Sequence, residues 1–129
     1  MTPEARDYLD KALEDLDEAR KILAIHLSKA AARSAYYAAF HAAEALIVER
    51  SGRIAKTHSG VRTMLADILA NATSDQRALL SFLARAYKFK EIGDYGVGEG
   101  AVVTEAEATE VVEGAGRFIA LVTSLLGKA

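Results

Sequence analysis

The sequence predicts an all-α protein, an up-and-down bundle of four to five helices, on three observations. Apolar residues recur at three-, four- and seven-residue intervals over most of the 129 positions, the spacing of one helical face. No segment sustains the alternation of a half-buried strand. Two of the apolar runs are preceded by a Thr with Gln or Glu three residues on, the signature of a capped helix start. At this length the chain is read as one domain, residues 1–129, with enough core to fold without cross-links.

Thr2 followed by Pro3, the only proline, starts the first helix, because proline at the first helical position gives up a donor that has no partner there. Leu9, Leu13, Leu16 and Leu23 carry that helix to about His26. Ser28 is expected to cap the second, which runs through “RSAYYAAFHAAEAL” to about Arg50. “ERSGRIAKTHSG” then breaks the pattern. A third helix starts near Thr57 or Ser59, its stripe made of Val61, Met64, Leu65, Ile68 and Leu69, with Asn71 near its end. Thr73 and Gln76 form the first capping box, ahead of a fourth helix that reaches about Lys90. “EIGDYGVGEGAVV” holds four glycines and reads as a loop, since each glycine inside a helix costs about 1 kcal/mol against alanine. Thr104 and Glu107 form the second box and open the last helix. Gly114 and Gly116 within its apolar stripe either weaken it or admit a neighbouring backbone.

Composition narrows the function classes. Cysteine is absent, which fits a reducing, cytoplasmic setting. The N-terminal segment is charged where a secretory signal would be apolar, and Arg33, His41 and Glu44 interrupt the most apolar run, so neither export nor a membrane span is expected. A net charge of −2 gives no global attraction to nucleic acid. The charge is nonetheless uneven. Arg50, Arg53, Lys56, His58 and Arg62 follow one another without an acid, whereas Glu91 to Glu113 carries seven carboxylates and no Lys or Arg.

The second helix presents two stripes. Its alanines suit a central position against several neighbours, and Tyr36, Phe40, Ala43 and Ile47 are expected in the core. Arg33, Tyr37, His41, Glu44 and Val48 share a second stripe about 80° wide and roughly 22 Å long. On a central helix those polar groups need partners, either an internal network or an accessible cleft. His41 and Glu44 have a metal-pair spacing, but His26 and His58 bring no matching partner motif, so no metal is expected. No nucleophile with an evident base is visible either. Where the third helix begins, free N–H groups and the positive dipole end coincide with Lys56, His58 and Arg62, which suits phosphate.

“RSAYYAAFHAAEALI”, then “KTHSG”, then “GDYG” ahead of a last helix together resemble the HEPN superfamily, the higher eukaryote and prokaryote nucleotide-binding domains. The nearest likeness is to a small stand-alone prokaryotic branch with a tyrosine-tyrosine, phenylalanine-histidine helix. The resemblance implies a homodimer and partnership with a minimal nucleotidyltransferase in a toxin–antitoxin-like pair. Many members are metal-independent ribonucleases that use an arginine and, a few residues later, a histidine on a late core helix. Here “KFKEIGDYG” stands at that motif, with Lys90 for the arginine, Asp94 for the histidine and Tyr95 beside it. An ionised aspartate repels a phosphodiester and has no proton to give its leaving oxygen. The expectation is therefore a non-catalytic binding module with no cofactor. Its nucleotide or phosphate residues would be Arg33, Tyr37, His41, Lys56, Thr57, His58, Ser59 and Arg62. A ribonuclease with a diverged site acting on RNA, and a purely structural oligomerisation subunit, are the alternatives.

Overall fold

Five helices account for most of the computed structural model, which describes residues 1–127. They are α1 (Pro3–Ala24), α2 (Ser28–Ser51), α3 (His58–Ile68), α4 (Ser74–Tyr95) and α5 (Glu105–Leu126), with a short 3-10 turn at Glu99–Ala101 before the last. No strand occurs among the described residues. None of the helices is long and apolar enough to cross a membrane. α2 is the centre, packing on α1, α3, α4 and α5. Its alanines 31, 32, 35, 38, 39, 42, 43 and 45 are all buried, and their small side chains let neighbouring axes come close. Between them Tyr36, Leu46 and Ile47 are fully enclosed, each large aliphatic among them contributing roughly 1.5–3 kcal/mol of burial.

The helix starts follow the sequence signals with one exception. Thr2 accepts from the Ala5 N–H at 3.1 Å, and both capping boxes close, Thr73 with Gln76 and Thr104 with Glu107. Ser28 does not cap α2. It is the first helical residue, and Leu27 precedes it without a side-chain bond. α1 ends at Ala24, two residues earlier than its periodicity suggests, because His26 adopts a left-handed φ of 65° and reverses the chain within three residues. The His26 ring then meets Glu105 Oε1 at 2.5 Å, tying this turn to the start of α5.

α4 departs further from expectation: it continues through Gly93 to Tyr95 instead of stopping near Lys90. The side chain of Arg33 lies across the helix there, and a Cβ on Gly93 would come within 2.8 Å of Arg33 Cδ. The glycine is thus a crossing point for α2's arginine, and the packing outweighs its poor helix propensity. Gly114 does a comparable service in α5. The Phe82 ring of α4 rests on it so closely that a Cβ would lie 2.3 Å from Cε2. A side chain, not a second backbone, fills that space. α5 runs on unbroken past Gly116, which faces Arg20.

Candidate functional site

Helical spacing brings Tyr36, Tyr37 and Phe40 to the side of α2 that meets α3 and α4. His58, the first residue of α3, is set by Thr57, whose Oγ1 accepts from the Gly60 N–H at 2.9 Å. Its ring centroid lies 4.6 Å from Phe40, 5.3 Å from Tyr87 of α4, 5.6 Å from Tyr36 and 5.9 Å from Tyr37. Such aromatic pairs contribute about 0.5–1.5 kcal/mol each beyond the area they bury. The Tyr36 hydroxyl stands 2.8 Å from His58 Nδ1. Burial raises the Tyr36 pKa, so the phenol keeps its proton. Burial first, and then the charges of Lys90 and Arg62, hold the His58 pKa below its ordinary value. The imidazole is therefore neutral at pH 7.

Three cations from three helices stand on these rings. Arg33 of α2 lies over Tyr37 at 4.8 Å, and Arg62 of α3 over Tyr87 at 4.9 Å. Lys90 of α4 is 5.0 Å from the exposed Tyr95 ring and 6.0 Å from Tyr87. Cations over aromatic faces are favoured electrostatically, the more so when desolvated. Asp94 answers two of the three. Arg33 Nε donates to its Oδ1 at 2.5 Å, and Lys90 Nζ lies 3.3 Å from Oδ2. The Arg33 bond, with Lys90 behind it, holds the Asp94 carboxyl below the usual aspartate value. Burial opposes the charge of Lys90, but its bond to Asp94 and the nearby tyrosines more than offset this, and its pKa is raised. Arg62 Nη1 is buried without a hydrogen-bond partner.

The His41 ring packs on the outer side of this group, 5.5 Å from Phe40 and 6.1 Å from Tyr37, but its nitrogens find other partners. Its Nδ1 lies 2.8 Å from Glu44 Oε1 and its Nε2 3.5 Å from Asp15 Oδ2, while Lys11 reaches Asp15 at 3.4 Å. The polar stripe of α2 is thus divided. Its Arg33–Tyr37 part faces α3 and α4; its His41–Glu44 part closes a network with α1 and borders a cleft of about 400 Å³ shared with Glu4, Asp7, Tyr8, Lys11 and Ile54. Two further clefts, of about 190 and 290 Å³, lie between α4 and α5 around Phe82, Arg85 and Arg117. None of these three clefts includes Arg33, His58 or Lys90. Lys56, Thr57 and Ser59 are exposed ahead of and beside His58, and Thr57 gives its hydroxyl to the helix start.

Sequence reasoning missed Tyr87 and gave Tyr36 to the core alone. Tyr36 is core, yet it also holds the histidine. Tyr87 was open to detection: it stands three residues before Lys90 and four before Glu91, so all three share one face of α4.

Comparison with known proteins agrees with this architecture. A family model described as the HEPN domain matches residues 5–125. A UPF0332 protein of Gloeobacter violaceus, glr0978, is 27% identical over 128 residues, which span 99% of this chain and 100% of that protein. The crystal structure of TT1696 from Thermus thermophilus is similar at a TM-score of 0.80 and 27% identity, covering 95% of this chain and 98% of that one.

Proposed function

The chain belongs to the HEPN domain family, and from that premise we propose that it is a non-catalytic module that binds a nucleotide at the junction of α2, α3 and α4. One observation carries the reading: three cations, Arg33, Arg62 and Lys90, lie within 6.0 Å of the tyrosine rings that surround a single uncharged histidine. Phosphate is drawn to the cations, and a base has the exposed Tyr95 ring to stack on. Lys56 and Ser59, exposed within two residues of His58, are available to the ligand's outer part. Calorimetric titration with a nucleotide panel tests the reading. A charge-assisted hydrogen bond to phosphate is worth roughly 1.5–3 kcal/mol, so Arg33→Ala and Lys90→Ala should each weaken binding about tenfold or more. Failure of every nucleotide to bind the native protein at millimolar concentration would reject it.

A ribonuclease reading has one observation of its own. His58 is neutral at pH 7 and lies near Lys90 and Arg62, the setting of a general base beside an anion. Against it, the Asp94 carboxylate holds the position that the family resemblance gives to the nuclease histidine, and two cations bond to it there. Structured and unstructured RNA should survive incubation with the protein in EDTA. Cleavage that disappears in His58→Ala would favour the enzyme instead. We propose a homodimer and a minimal nucleotidyltransferase as partners, on the family resemblance. Co-expression with a nucleotidyltransferase from a neighbouring gene should give a co-eluting complex, and separate elution at micromolar concentration would remove that partner.

A further inference from the structure

Resting on the nucleotide reading, we infer that Asp94 occupies the phosphate subsite as an internal anion and thereby reserves the Arg33–Lys90 pair for ligands that end in a phosphate monoester. Three features of the geometry support this. The two cations approach different oxygens of the carboxylate, Arg33 at Oδ1 and Lys90 at Oδ2, as they would approach two oxygens of a phosphate. The arrangement is built into the fold, since Gly93 leaves the room through which Arg33 crosses α4 and Lys90 is only 9% exposed. The carboxylate can also yield. Asp94 is exposed and is the penultimate residue of α4, just ahead of Gly96, Gly98 and Gly100.

Charge then sets the selectivity. An internal phosphodiester carries one negative charge, as Asp94 does, so exchanging one for the other brings no electrostatic gain. A terminal phosphate carries about 1.5 to 2 negative charges at pH 7 and offers three acceptor oxygens. It displaces the carboxylate with a gain that the diester lacks. The base attached to it would have the exposed Tyr95 ring, 5.0 Å from Lys90, within reach. On this account the carboxylate at the family's nuclease position raises the affinity that every anion must reach, a level that a mononucleotide meets and the interior of an RNA chain does not.

The test compares adenosine 5′-monophosphate with adenylyl-(3′→5′)-adenosine, whose only phosphate is a diester, by calorimetry on the native protein and on Asp94→Asn. The native protein should favour the monophosphate by about tenfold or more, and Asp94→Asn, which removes the competing carboxylate, should bind both ligands about tenfold or more tightly while keeping their ratio. Affinities for both ligands unchanged in Asp94→Asn, or equal affinities in the native protein, overturn the inference while leaving nucleotide binding intact. A second measurement needs no nucleotide: thermal melting in sodium sulfate against sodium chloride at matched ionic strength. Sulfate should stabilise Asp94→Asn more than the native protein, and the gain should vanish in the Asp94→Asn, Arg33→Ala double variant. That result with no nucleotide bound keeps the internal anion and removes the nucleotide. Equal sulfate effects in the native protein and Asp94→Asn remove the internal anion. Asp94→Ser, with a smaller neutral side chain, repeats both measurements should Asp94→Asn fail to fold.

Discussion

Asp94 and His58 are both held away from their ordinary titration behaviour, and each makes stability depend on pH in a window of its own. For Asp94 the bonds from Arg33 and Lys90 favour the charged form. Its stabilising contribution is present above the reference value of 3.8 and is lost as pH falls through the lower, folded value. Arg33→Ala should raise the Asp94 pKa toward 3.8 and shrink that acid-side loss, which carboxyl-detected NMR titration and acid denaturation would check. An unmoved pKa would mean that Arg33 contributes little to the pair. His58 is a base whose folded pKa is lowered by burial and by the nearby cations. The unfolded chain takes up the proton first, so stability falls as pH drops from 6.5 toward the folded value. His58→Gln should flatten the stability profile in that window, and a native slope retained in the variant would place its origin elsewhere.

At the scale of the helices, the signals that the sequence carries in its own local chemistry were the legible ones. Two capping boxes and a Thr-Pro start appear where expected. Thr104→Ala should cost about 1 kcal/mol, read by chemical denaturation. What the sequence hid was set by other helices. Gly93 reads as a helix breaker until Arg33 is seen to lie across it, and Gly114 reads as a contact for a backbone until the Phe82 ring is found there. Gly114→Ala should therefore destabilise by about 1–3 kcal/mol through overpacking, although alanine is the better helix former. Combining it with Phe82→Leu should restore part of the loss, and strict additivity of the two changes would contradict the contact.

Over the whole molecule, the all-α class and central α2 were predictable from periodicity and alanine content, whereas the division of its polar stripe was not. Arg33 and His41 stand on one side of the same helix, but Asp94 takes the first and the Asp15–Glu44 pair the second. Only tertiary packing decides which neighbour each one meets. Assembly is likewise a property of the surface, and Gly114, whose space is filled within the chain, gives it no support. The homodimer expected from the family is tested by sedimentation: a single 13.8 kDa species at tens of micromolar would dismiss it. The seat of Phe82 on Gly114 also bears on descent. A lineage that acquired a side chain at position 114 would gain stability from a smaller residue at 82, so across relatives the two positions should change together, with an alanine or larger residue at the first favoured beside a smaller one at the second.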